Sequence, residues 1–131
     1  MARTPLTEAD YFKAAELRRA LRAFLRRSEV VARSHGLTPQ RYQLLLQIKA
    51  AKGAATIGSL CRDLQLGQSN VTQQVRRVEN EGLVRRELSK DDARVRYLRL
   101  TATGERRLAR AVADLAEDRD RLTSVLAAHD S

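Results

Sequence analysis

The sequence predicts a mainly α fold with one small β-hairpin, and three observations carry that prediction. Apolar residues recur at helical spacing in five segments. Between the fourth and fifth, Leu83–Leu88 and Val95–Leu100 read as two short strands about the polar turn Ser89-Lys90-Asp91-Asp92. Capping threonines stand at the head of four of the helical segments, at positions 7, 38, 56 and 101.

The first helix starts at Thr7, with Asp10 three residues on to close a capping box and Leu6 and Tyr11 spaced for a hydrophobic staple. Ala14, Leu17, Leu21, Phe24 and Leu25 continue it to about Ser34, roughly 40 Å at 1.5 Å per residue. Gly36 suits its left-handed C-cap. Thr38-Pro39 opens a second helix, filled by Tyr42, Leu45, Leu46 and Ile48 and ended by Gly53. Thr56 caps a short third helix through Leu66, with Ile57, Leu60 and Leu64 inward. A fourth helix begins at Gly67 or Gln68. Its core stripe is Val71, Val75 and Val78, and Gly82 ends it. After the hairpin, Thr101 caps a last helix whose apolar positions Leu108, Val112, Leu115, Leu122 and Leu126 form a heptad-like stripe, interrupted at Arg119. Such a stripe can simply pack on its own domain, but the middle of the chain is too small to cover both long end helices. Leu17 and Leu21 on the first and the stripe on the last therefore predict a homodimer built from both ends.

With 131 residues the chain suits one domain. It carries 25 Lys+Arg against 16 Asp+Glu, a net charge of +9, which favours a polyanionic partner. The excess is uneven: +7 over residues 1–67, +4 over 68–107 and −2 over 108–131. The last helix is therefore the segment least suited to meet phosphate. A single cysteine excludes an internal disulfide and a cysteine zinc cluster. No apolar run resembles a signal peptide or approaches the ~18 residues of a membrane span, so the expectation is a cytoplasmic protein with no membrane partner. With 4% aromatics and no Trp, stacking platforms for single-stranded nucleic acid are poorly supplied. No Walker loop, nucleophile elbow or paired-carboxylate cleft is present, so no catalytic residue, cofactor or metal site is expected.

The chemistry concentrates on the fourth helix. Opposite its valines lie Gln68, Ser69, Asn70, Thr72, Gln73, Arg76 and Arg77. A helix that packs on one face and offers amides, hydroxyls and guanidiniums on the other can enter the DNA major groove and read base edges. The first-turn N–H groups can meet a phosphate. The bland alternative is a solvated helix face. In the hairpin, Arg94 stands near the tip with Lys90 and Arg96 beside it. There the alternative is an ordinary surface ion pair with Asp92.

These residues resemble the MarR family of winged helix-turn-helix regulators. The likeness rests on Leu60, Leu64 and Leu66; on Gln68-Ser69-Asn70-Val71-Thr72, Val75, Arg77, Glu79 and Gly82-Leu83-Val84; and on Asp92-Ala93-Arg94 and Leu98-Arg99-Leu100-Thr101-Ala102-Thr103-Gly104. It implies a winged helix-turn-helix with long N- and C-terminal dimerisation helices. The DNA-binding lobe would span about 38–100 and the dimerisation helices about 7–35 and 101–131. It implies a dimeric repressor of double-stranded DNA with a pseudo-palindromic operator. Arg94 becomes a groove-inserting arginine and Asp92 its orienting carboxylate. Lys90, Arg96, Arg85 and Arg86 read either as backbone contacts or as plain solubilising charge. Relatives often take a small aromatic effector in the crevice between dimer helices and reading head, where Tyr11, Phe24 and Tyr42 could stand; core packing is the other role open to them. The runner-up is a winged-helix protein-interaction adaptor.

Two departures from the family pattern matter. Gln65 stands where a turn glycine is common, so either a non-glycine residue takes the left-handed conformation or Gly67 does. Gln73 stands where a basic residue is common, and an amide there suits adenine where arginine would suit guanine. The family also tends to carry a further helix after the long one, where this sequence stops at Ser131. Cys61 reads as a small hydrophobe or, as in some relatives, a redox thiol. His35 complements a helix C-terminus, and His129 falls in a tail expected to fray.

Overall fold

The computed structural model of the chain describes residues 4–129. Within them the order is α1 (Glu8–Ser34), α2 (Pro39–Ala50), α3 (Ile57–Leu64), α4 (Gln68–Asn80), β1 (Val84–Leu88), β2 (Arg96–Leu100), α5 (Ala102–Asp114) and α6 (Ala116–Ala128). The expected caps form. Thr7 and Asp10 make a reciprocal box, Thr56 and Ser59 make another, and Thr38 and Thr101 each accept from the N–H three residues on. Leu6 and Tyr11, the expected staple pair, both stay largely exposed.

The turn between α3 and α4 is held by Gln65, which takes the left-handed conformation at φ 55, ψ 45. Gly67 sits at φ −72 as the N-cap of α4. A side chain thus occupies the strained position while a glycine stands at an unstrained one.

The strands pair antiparallel, Val84 opposite Leu100 and Arg85 opposite Arg99. Ala55 adds a bridge to Leu98, accepting its N–H at 2.9 Å and fastening the entry of α3 to the hairpin. Val71, Val75 and Val78 are wholly buried, as are Leu44, Leu45, Leu60 and Leu83, so α2, α3, α4 and the hairpin share one core. Gly104 lets α5 start hard against that core. A Cβ there would lie 2.2 Å from the Leu83 carbonyl oxygen.

The C-terminal half departs from expectation. The single last helix is two helices, broken at Leu115 (φ −97, ψ 4). Leu115 is buried, and Arg119 turns back to donate from Nη1 to the Val112 carbonyl at 2.8 Å, satisfying one of the end carbonyls of α5. Leu108 and Leu115 are accordingly taken up by the protomer's own core, at 3% and 1% exposure, and are not free to form a dimer seam. Val112 packs half-buried against the same core. The α6 helix runs along α1, where Leu17 and Leu122 are half-buried, Arg27 lies 3.7 Å from Asp118, and His129 lies 3.0 Å from the Lys13 carbonyl. His129 is thus held in place and not in a frayed tail. Tyr11, Phe12, Leu21, Leu25, Val30 and Leu126 remain exposed.

Candidate nucleic-acid interface

With three valines turned inward, α4 presents Gln68, Ser69, Asn70, Gln73, Arg76 and Arg77 to solvent and Thr72 half-exposed. The side-chain amide of Gln74 donates to Asn70 Oδ1 at 2.7 Å, which fixes the Asn70 amide and leaves its NH₂ facing away from that bond. Glycine at the N-cap means no side chain caps α4, and its first turn holds no acid. The N–H groups of that turn therefore lack the side-chain acceptor that a serine or aspartate would supply, and the positive end of the helix dipole is uncompensated. Such a helix end can receive an anion.

The hairpin tip is organised around two short side chains. Ser89 Oγ accepts from the N–H groups of Asp91 and Asp92 at 3.2 Å each. Asp92 then receives the Arg94 backbone N–H at 3.0 Å, its Nε at 3.1 Å and its Nη2 at 3.3 Å. These bonds, the side-chain one foremost, hold the Asp92 carboxyl below its usual range. The Arg94 side chain is nonetheless 91% exposed, so the guanidinium is oriented while most of its surface stays open. Lys90 and Arg96 are exposed and form no ion pair among the described residues.

The two parts are joined. Arg86 on β1 bonds Glu79 on α4, so it serves as a strut between wing and helix and is not spare solubilising charge. A third element also enters the site. Thr38, the N-cap of α2, and Gln40, Arg41 and Leu44 within it face Asn70, Gln73, Gln74 and Arg77 of α4 across a groove of about 360 Å³. Arg41 pairs with Glu81 through Nη2, while its Nε is buried without a hydrogen-bond partner. Gln40 and Arg41 were not singled out from sequence. The signal was there in a helix opened by Thr38-Pro39 with polar and basic side chains in its first turn.

Of the three aromatics, Phe24 and Tyr42 line a cleft of about 790 Å³ among α1, α2, α3, α5 and α6, with Leu46, Leu64, Val112 and Arg119. Burial pushes the Tyr42 hydroxyl pKa up, against a smaller pull from Arg119. Tyr11 is exposed near the other end of α1 and takes no part. Cys61 is half-buried against the core. His35 lies 2.6 Å from Asp114 and ties the end of α1 to that of α5.

No curated protein matches the chain by sequence. The fold is shared with solved structures. AbsC of Streptomyces coelicolor, a MarR family transcriptional regulator, is 22% identical with a TM-score of 0.72, over 95% of this chain and 84% of that one. A cysteine-to-serine MarR of E. coli complexed with operator DNA is 17% identical with a TM-score of 0.68, over 92% and 86%. MosR of M. tuberculosis in complex with DNA is 25% identical with a TM-score of 0.61, over 85% and 80%. Residues 35–95, from the end of α1 to the wing, match the model of the MarR family. The chain thus matches the MarR family over residues 35–95 and shares the fold of solved members of that family.

Proposed function

We propose that the chain is a homodimeric, sequence-specific double-stranded DNA-binding regulator that represses its targets from the cytoplasm. The carrying observation is the uncapped first turn of α4, with Gln68, Ser69 and Asn70 exposed above a wholly buried valine stripe. In this reading α4 enters the major groove, with Thr72, Gln73, Arg76 and Arg77 along it. Arg94 and its flanking Lys90 and Arg96 lie on the neighbouring backbone or minor groove. Residues 38–100 form the reading lobe. The exposed apolar residues of α1 and α6, Leu21 and Leu126 among them, supply the dimer face with Leu17 and Leu122 at its edge. A two-fold dimer reads a pseudo-palindrome with half-sites about one helical turn apart. The cleft bearing Phe24 and Tyr42 takes the small aromatic effector. A ligand there touches both α1 and the end of α3, so it shifts the balance between DNA-competent and released arrangements.

The test is a gel shift on random and genomic fragments across a salt series. Salt-sensitive binding to both, tighter on a few genomic sites, is expected, with Gln73→Ala costing about 1–3 kcal/mol on those sites. Equal affinity for all fragments, or an unaffected Gln73→Ala protein, overturns the reading. For the effector, phenolic acids should raise the thermal midpoint of the wild-type protein, and no rise removes that assignment.

A further inference from the structure

The face of the wing turned away from α4 carries a basic hollow that the DNA-reading arrangement leaves unused. Arg85 and Arg99 are opposite one another across the two strands. Side chains alternate along a strand, so both point away from the face on which Arg86 reaches Glu79 of α4. With Lys49, Lys52 and Gly53 from the end of α2 and the turn after it, and Glu105 of α5, they line a cavity of about 340 Å³.

The charges in and around the hollow do not cancel. Glu87 is shared by Arg85 Nη1 at 3.0 Å and Arg99 Nε at 2.9 Å, and Lys49 Nζ meets Glu105 at 3.0 Å. Lys52 makes no ion pair among the described residues, and one carboxylate serves two guanidiniums, which leaves two positive charges in excess. The Arg99 Nε is buried, 2.9 Å from the Glu87 carboxylate that it shares with Arg85. The rest of that guanidinium lies close over the turn. Gly53 stands at φ +90, and a Cβ on it would lie 2.8 Å from Arg99 Nη1 and Nη2.

We propose that this hollow is the seat of a small phosphate-bearing anion. Guanidinium forks match phosphate oxygens in geometry, and Arg99 already lies beside Glu87 and over the Gly53 turn, which limits the freedom it loses on binding. The hollow is concave and, at about 340 Å³, has the size for a phosphate with room for a small organic group. An anion bridging Lys52 and Arg99 ties the turn after α2 to the wing. The assignment does not depend on DNA reading by α4.

The experiment titrates the whole protein with inorganic phosphate and with pyrophosphate against potassium chloride at constant ionic strength. Thermal unfolding and amide NMR are the readouts. A saturable rise in midpoint is expected, steeper for pyrophosphate, with perturbations at Lys52, Gly53, Arg85 and Arg99. Lys52→Ala with Arg85→Ala, both exposed side chains, should weaken the apparent affinity about tenfold. Lys52→Ala alone, checked for an unchanged circular dichroism spectrum, should weaken it by less. A rise matched by chloride, perturbations centred on Gln68–Arg77, or undiminished binding by the double variant overturns the proposal. So does a loss of duplex binding by that variant as large as its loss of phosphate binding, since the seat would then serve the DNA backbone.

Discussion

Arg86 on the wing grips Glu79 on α4 with a forked contact: its Nε lies 3.1 and 3.0 Å from the two carboxylate oxygens and its Nη2 lies 3.0 Å from Oε1. The bonds to Glu79 raise the Arg86 pKa, as a cation held by a carboxylate requires. Two elements that should meet the same duplex are thereby held at one relative angle before DNA arrives. The pair is partly exposed, so its worth to folding is modest, about 0.5–1 kcal/mol. A double-mutant cycle on Arg86→Ala and Glu79→Ala should recover a coupling of that size in chemical denaturation. The same variants should weaken operator binding by about 0.5–1 kcal/mol through lost preorganisation. Unchanged DNA affinity would show that the hairpin alone sets the wing.

Arg94 and Asp92 give a pH signature. Asp92 has a folded pKa below the ordinary aspartate value of about 3.9. A depressed carboxyl stabilises the tip above that ordinary value and loses its contribution as pH falls through the lowered one. The pair is therefore intact throughout the neutral range, and wing geometry should not change there. Carboxyl NMR should show Asp92 titrating later than a free aspartate as acid is added, and should move it part of the way back toward an ordinary midpoint in Arg94→Ala, where the backbone N–H of residue 94 still donates. An ordinary midpoint in the wild-type protein would mean that Arg94 swings free. On DNA, Arg94→Ala should cost about 1–3 kcal/mol and reduce the salt slope by about one.

Gln65 holds the helix-turn-helix corner in the left-handed conformation. An L-residue there carries about 1–2 kcal/mol of strain, from which the extra backbone freedom of unfolded glycine must be subtracted. Gln65→Gly should thus raise stability by about 0.5–1 kcal/mol in denaturant titration. A destabilised Gln65→Gly protein would show that the side chain makes up the strain elsewhere.

Leu115 and Leu126 should part company. Leu115 is 1% exposed at the break between α5 and α6, whereas Leu126 is 45% exposed. Leu115→Ala should cost about 2–5 kcal/mol in protomer unfolding. Leu126→Ala should leave protomer unfolding nearly untouched and weaken self-association in sedimentation equilibrium. A stability loss from Leu126→Ala at protein concentrations too low for dimers would remove it from the dimer face.

Much of the molecule was legible because its signals are local. A cap and its acceptor lie three residues apart, a valine stripe repeats every turn, and Asp92 stands two residues before Arg94. All of these can be seen without knowing the fold. The helices, the hairpin, the exposed face of α4 and the arginine at the tip follow from such short-range physics. The tertiary structure decided which of two roles a residue takes when both suit its local pattern. Leu108 and Leu115 fit a dimer stripe and a protomer core equally well by spacing, and only the nearness of the core to α5 chose between them. Arg86 and Arg41 look like any surface arginines until Glu79 and Glu81 are brought beside them across 7 and 40 residues. The hollow behind the wing depends on a turn, a hairpin and a helix start meeting in space. Pairings over such separations are set by how the whole chain packs, and no short window of sequence records them.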